Sequence, residues 1–268
     1  MNVAGKVFVV TGAGAGIARE VTLLLLQNGA HVAGVDLNAE GLDETAALAS
    51  VRKRFSKHVL DISDREATAA LPDEVRAAHG QIDGLLNIAG VIQQFVKINE
   101  LPFNEIEKVM NVNFWGVINM VKAFLPELIA RPEAALVNVS SMGAYAPVPG
   151  QAVYGASKAA VRLLTEALYA ELKDTNVAVT VIFPGAIGTD IAKNSGVTLG
   201  GDVAEEAAAT AHKTTPPAEA GRIIVRALER GTFRATIGSD ARAMDLLSRL
   251  SPKKATEIIA KQMGDLLG

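Results

Sequence analysis

The feature that most limits how this chain can fold is a rhythm. Short β-branched runs, apolar at nearly every position, alternate with longer stretches of helical periodicity. Lys6 to Thr11 and His31 to Asp36 read as strands, followed by helices over Ile17 to Asn28 and Ala39 to Ser50. A short strand at Lys57 to Leu60 leads to a helix that Ser63 caps and that ends near Gly80. Strands at Ile82 to Asn87, Ala134 to Ser140 and Val177 to Phe183 then alternate with long helices over Phe103 to Ala130 and Ala152 to Thr175. A strand without polar alternation must be covered on both faces, and intervening helices supply that cover. The expectation is an α/β fold, a Rossmann-type doubly wound parallel sheet of about seven strands with helices on both faces.

Beyond Pro184 the rhythm weakens. Gly185 to Thr215 is rich in small residues and reads as a loop with a short helix near Ala204 to His212. A substrate loop is expected over about 190–215, with Asn194 to Ala211 as a closing lid. Pro217 to Arg230 reads as a helix, Arg234 to Ile237 as a last strand, and Ser239 to Leu250 and Pro252 to Leu267 as a helical extension. No linker or fixed-period repeat interrupts the pattern, so residues 1–268 read as one domain.

Composition removes several function classes. The absence of cysteine excludes disulfides, thiolate catalysis and Cys-ligated zinc. His31, His58, His79 and His212 fall on separate elements without metal-ligand spacing, so no metal is expected. A net charge of −3 argues against a nucleic-acid binder, and Lys253-Lys254 is too small a basic patch. The dense apolar run Val21 to Leu26 falls far short of the roughly 20 residues that cross a bilayer. No basic-then-apolar leader opens the chain. The expectation is a cytoplasmic protein acting on neither membrane nor nucleic acid.

The first strand runs into Thr11-Gly12-Ala13-Gly14-Ala15-Gly16-Ile17-Ala18, which opens the first helix. Glycines there let backbone approach a pyrophosphate, and free N–H groups of the helix N-terminus point at the anion. Such a cluster alone is often only a tight turn. Here Asp36 ends the second strand about 20 residues on, where a carboxylate accepts both ribose hydroxyls of an adenosine. It would repel a 2′-phosphate, so NAD is favoured over NADP. The bland alternative is that Asp36 merely caps the next helix.

Tyr154-Gly155-Ala156-Ser157-Lys158 opens the long helix after the fifth strand. Four residues apart, Tyr154 and Lys158 share a helix face, and an ammonium beside a phenol favours the phenolate. Together with the glycine turn, this resembles the short-chain dehydrogenase/reductase family, in its branch of roughly 250 residues. Asn87-Ile88-Ala89-Gly90, Asn111-Val112-Asn113, Asn138-Val139-Ser140-Ser141 and Pro184-Gly185 through Thr189 match further family segments in order, from about Lys6 to Asp190. Two departures stand out: Ala18 replaces the usual last glycine, and Ile88 replaces an asparagine. An extra methyl at 18 should be tolerated, and Asn87 remains for polar contacts.

The resemblance implies a set of roles. Tyr154 is the acid/base, Ser141 holds the same substrate oxygen, Lys158 also binds the nicotinamide ribose, and Asn113 holds a proton-relaying water. Ser140 is the structural neighbour of Ser141. The cofactor set is Gly12, Gly14, Gly16, Ile17, Asp36, Leu37, Asp61, Ile62, Asn87, Ala89, Gly90, Tyr154, Lys158, Pro184, Gly185, Ile187 and Thr189. Asp61 and Ile62 would lie at the adenine, and Ile187 and Thr189 at the nicotinamide. The substrate contacts are Gln94, Ser141, Met142 and Tyr154, in a mostly apolar pocket lined also by Val91, Ile92, Gln93, Ala144, Tyr145, Val148 and Gln151. The expected function is NAD-dependent interconversion of a secondary alcohol and its ketone. The alternatives are a 3-oxoacyl thioester reductase and a non-catalytic NAD sensor or scaffold. A sugar-nucleotide epimerase would need a larger C-terminal region. A homotetramer, with a dimer as the alternative, would form through the two long helices.

Overall fold

The computed structural model describes residues 1–49, 51–197 and 214–262. Seven parallel strands form one sheet: β1 (Val7–Thr11), β2 (His31–Asp36), β3 (Phe55–Val59), β4 (Gly84–Asn87), β5 (Ala134–Val139), β6 (Val177–Pro184) and β7 (Arg234–Ile237). Their order is β3-β2-β1-β4-β5-β6-β7. The order reverses between β1 and β4, and a crevice opens beyond the carboxyl ends of the strands at such a reversal.

Side-chain alternation explains why the apolar runs need cover on both sides. Along β1, Phe8 and Val10 join one core layer, under α1 (Gly16–Gln27) and α8 (Pro217–Arg230). Val7 and Val9 join the other, under α3 (Arg65–His79), α5 (Gly116–Ile129) and α6 (Ala152–Glu171). Leu86 and Val137 repeat the first choice, Leu85 and Leu136 the second. Every residue of β1 and β5 is buried. At about 25 cal/mol per Å² of apolar surface, these two layers are the main stabilising term.

Three expectations need correction. The third strand starts at Phe55, two residues before Lys57. The cap of α3 is Asp64, not Ser63, because its carboxylate accepts from the N–H groups of Glu66 (2.9 Å) and Ala67 (3.1 Å). Ser63 instead donates its hydroxyl to Asp61. The helix over 103–130 is not uniform. Between α4 (Phe103–Met110) and α5 lies a π turn, Asn111–Trp115.

The remaining elements are α2 (Ala39–Leu48), capped by Asn38, a short α7 (Ile191–Asn194), α9 (Ser239–Leu250) and α10 (Pro252–Gln262). The helix expected near Ala204 to His212, most of the expected lid, Ser50 and the end of the last helix lie outside the described residues. Among the described residues, no helix is long and apolar enough to cross a membrane.

Candidate active site

The glycine turn is shaped by close approach. Gly12 has φ +77°, and a Cβ added there would meet the Ala89 Cα at 3.0 Å. A Cβ on Gly14 would sit 2.8 Å from an Asp36 carboxylate oxygen, because the Gly14 N–H donates to Asp36 Oδ2 at 2.8 Å. The second Asp36 oxygen accepts from the Asn38 N–H. Asp36 therefore stands at the end of β2 directly beside the turn, and Asn38, not Asp36, caps α2. Leu37 next to it is exposed.

The first turn of α1 has no side-chain cap at Ala15, so its leading N–H groups at Gly16 and Ile17 face the crevice unclaimed by a cap. These features fit a dinucleotide: a backbone cradle, a helix N-terminus for phosphate and a carboxylate for ribose. Gly16 (φ +53°) lies beside Thr189, whose Cγ2 is 3.4 Å from the position of an added Cβ. The segment after β6 thus folds back over the glycine turn. Ala18, at the departure from the family glycine, is buried in the core. Ile88 packs on that core, while the Ile88 and Ala89 N–H groups donate to the buried Thr11 hydroxyl at 3.0 and 3.1 Å.

Asn87 is buried at the end of β4. Its amide donates to Asn138 Oδ1 at 2.9 Å, and Asn138 donates to Thr165 at 3.0 Å. Asn87 Oδ1 has no partner. Asp61 is exposed, and one of its oxygens accepts from both the N–H and hydroxyl of Ser63. Ile62 turns its side chain into the core against Gly116.

The second group of residues gathers at the ends of β4 and β5. Lys158 is buried, and its Nζ donates to the Val139 carbonyl at 3.2 Å. It lies 6.0 Å from the centre of the Tyr154 ring. Gly90 marks the meeting point, since a Cβ there would be 3.0 Å from Lys158 Nζ and 3.2 Å from Asn113 Oδ1. Ser141 lies near enough to the Tyr154 hydroxyl to favour its charged form. The Ser141 oxygen also accepts from the Gly143 N–H at 3.0 Å. Ser140 donates to the Lys158 carbonyl and so helps seat α6.

Burial dominates the electrostatics. It holds Lys158 down at about 8 from an ordinary 10.5, since a buried ammonium loses hydration. It pushes Tyr154 up from 10, against a smaller downward effect of the Ser141 side chain. Without a bound cation, the phenol therefore keeps its proton.

Asn113 sits inside the π turn and is buried. Its oxygen accepts from the Val91 N–H (2.8 Å), and its amide donates to the Val91 carbonyl (2.9 Å) and Ser157 (3.0 Å). Both amide hydrogens are thus committed, and one oxygen lone pair remains for a water. π turns are frequent at functional sites, and this one carries the side chain that ties Val91 to Ser157 of α6.

Two expected pocket amides turn out to be scaffolding. Gln93 is fully buried: its Oε1 accepts from the Val153 and Tyr154 N–H groups at 3.0 Å each, and its Nε2 donates to the Gly150 carbonyl. It caps the helix that carries Tyr154, a role that sequence spacing cannot reveal across 61 residues. Gln151 donates back to the Gln93 carbonyl. Gln94 stays partly exposed and reaches the Gly196 carbonyl. Met142, Tyr145 and Val148 pack against Met244, Leu247, Ala255 and Ile259, so α9 and α10 back the expected substrate wall.

Away from the cleft, three histidines expected to be scattered converge. Ser56 Oγ is 2.8 Å from both His58 and His79, His58 pairs with Glu74, and His31 meets His79 edge to face. Among the described residues, no cluster suited to a metal forms.

The family pattern described as short chain dehydrogenase matches residues 6–199. SadH of Mycobacterium tuberculosis, named as an oxidoreductase, is 36% identical over 261 residues, covering 96% of this chain and 94% of its own. The 3-oxoacyl-acyl-carrier-protein reductase FabG of Thermotoga maritima is 34% identical over 190 residues, covering 70% of this chain and 77% of its own. Among solved structures, a short chain dehydrogenase/reductase from Burkholderia phymatum in complex with NAD superimposes with a TM-score of 0.84. It is 24% identical and covers 93% of this chain and 94% of its own.

Proposed function

This chain belongs to the short-chain dehydrogenase family and is an oxidoreductase, and we propose that it interconverts a secondary alcohol and its ketone with NAD. The observation that carries this reading is the meeting of Tyr154, Ser141, Lys158 and Asn113 beside the glycine turn. The dinucleotide, when bound, supplies or accepts the hydride. Gly12, Gly14, Gly16 and Ile17 would hold its pyrophosphate, Asp36 its adenosine ribose, and Lys158 its nicotinamide ribose. Asn87, Ala89, Gly90 and the segment Pro184–Thr189 would bound its inner half, with Leu37, Asp61 and Ile62 at its outer half.

Tyr154 removes the hydroxyl proton of the alcohol, or gives its own to the carbonyl. Ser141 donates to the same oxygen, since its bond with the Gly143 N–H uses an acceptor site and leaves the hydroxyl hydrogen for the substrate. Lys158 supplies the positive charge that brings the phenol into range, and the free Asn113 lone pair holds the water that carries the proton outward. Because burial holds the phenol proton above its ordinary range, alcohol oxidation accelerates as pH rises from neutral.

Asp36 at the turn supports NAD over NADP. The wall of Met142, Tyr145 and Val148 supports an apolar substrate, with Gln94 at its rim. The similarity to FabG favours one second reading, a 3-oxoacyl thioester reductase. Exposed Leu163 and Ile129 and the apolar groove between α5 and α6, lined by Ile118, Leu125 and Leu164, support assembly through the long helices, as a tetramer or a dimer.

The test is the initial rate of dinucleotide reduction or oxidation, with NAD and NADP in parallel. Secondary alcohols, diols, hydroxy acids, hydroxysteroids and a 3-oxoacyl thioester form the panel. Turnover of alcohols with NAD bears out the proposal, and reduction of the thioester with NADPH favours the second reading. Silence throughout with retained NADH binding points to a sensor.

A further inference from the structure

The last two helices lie beyond the family's matching segment, which ends at residue 199, yet one of their side chains reaches the cleft. Asp240 stands in the first turn of α9. Its carboxylate does not cap its own helix. It accepts from the Ala186 N–H at 2.8 Å, across 54 residues. The two backbones beside it make room. A Cβ on Gly185 would lie 2.3 Å from both carboxylate oxygens, and one on Gly238 (φ +96°) would lie 2.2 Å from Oδ1. The carboxylate therefore fills the volume that side chains at 185 and 238 would occupy.

Backbone bonds and the packing of Ile187 on the core hold segment 185–188 from the β7 and Thr215 side, and Asp240 adds a side-chain anchor. The Gly185 N–H donates to Ile237, the Thr215 N–H to Ala186, and the Gly188 N–H to Thr215. Ala186 is exposed, so without Asp240 its N–H would face water. A carboxylate in a first helical turn is also favoured by the positive helix end, which helps keep the Asp240 side chain in place. The next residue in the same turn, Ala241, accepts the Tyr145 hydroxyl at 2.8 Å. One turn of α9 thus braces the segment after β6 and the wall of the expected substrate pocket.

We propose that Asp240 is a positioning residue that fixes the Gly185–Thr189 backbone to receive the nicotinamide end of the dinucleotide. The proposal rests on the reading of that segment as part of the dinucleotide site. The experiment is NADH titration followed by nicotinamide fluorescence, with steady-state kinetics on the same variants. Asp240→Ala raises the NADH Kd and the dinucleotide KM at least tenfold, while kcat at saturation falls less than threefold. Asp240→Asn, whose amide oxygen still accepts from Ala186, recovers affinity to within threefold of the native protein.

If Asp240→Ala fails to fold, Asp240→Ser replaces it. Serine suits a first helical turn but is too short to reach Ala186. An unchanged Kd in the folded Ala or Ser variant overturns the proposal. So does a loss in Asp240→Asn equal to that in Asp240→Ala, which would assign the effect to charge. If the native protein binds neither NADH nor NADPH, the dinucleotide reading itself falls and takes the proposal with it. Binding by the native protein separates the two failures.

Discussion

The two ends of the cleft are built differently. The glycine-turn end is contiguous: Gly12, Gly14, Gly16 and Asp36 lie on one β-α-β unit, and the Gly14–Asp36 bond closes it locally. The opposite end is assembled from distant pieces. Gln93 caps α6, Ser195 accepts from the Ile92 N–H at 3.0 Å, Lys108 donates to the Ser195 carbonyl at 2.8 Å, and Ile259 packs near Met142. A unit closed by local geometry tolerates change elsewhere in the chain. An assembled wall changes whenever any contributor changes.

The largest expected effect comes from the proposed catalytic centre between these ends. Tyr154→Phe lowers kcat by roughly 10²–10⁴-fold and leaves NADH affinity within a few-fold, as rate and fluorescence titration would show. Retained turnover would remove Tyr154 from the chemistry. Lys158→Met also abolishes turnover, but it stabilises the cofactor-free fold near neutral pH. Lys158 titrates at about 8 in the fold against 10.5 when unfolded, so the native protein loses stability as pH falls from 10.5 to 8. That loss is on the order of 3 kcal/mol, and denaturant midpoints for the Met variant should lack this slope.

Gln93→Leu tests the assembled end. It leaves the Val153 and Tyr154 N–H groups and the Gly150 carbonyl unpaired, costing about 2–4 kcal/mol in urea unfolding. It also lowers kcat more than it changes the dinucleotide KM. Equal changes in both would mean the two ends are not separable. Asp36→Ala tests the contiguous end: the preference for NAD over NADP in kcat/KM falls roughly 10- to 100-fold, with substrate KM unmoved. The smallest effect lies outside both. Burial, then His31 and His58, hold His79 below 6.5, so the unfolded chain takes up the proton first. Stability is complete above 6.5 and declines as pH falls through the lowered value, a decline that His79→Asn should flatten in acid unfolding curves.

The same division explains what the sequence discloses. Strand positions, the parallel sheet and the glycine turn follow from periodicity and from residues adjacent in the chain, and β2, α8, β7 and α9 match their expected bounds. The cap of α3 was misplaced by one residue, because Ser63 and Asp64 both have capping side chains and only their geometry chooses between them. Gln93 and Gln151 read as pocket amides because a buried amide and a ligand-facing amide look alike in sequence. The histidines read as scattered because β2, β3 and α3 bring them together only in three dimensions. Asp240 carried no signal at all, since an acidic residue in a first helical turn is ordinary.

The π turn at Asn111–Trp115 also bears on how this chain can change in length. Such a turn holds one more residue than an α-helical turn, so it behaves as an insertion already absorbed. Elsewhere in the helix, deleting one residue rotates everything beyond it by about 100° and tears α5 from the sheet. Here a deletion converts the turn to regular helix and leaves α5 in register. The stretch that holds Asn113 is thus where this helix can lose a residue without refolding.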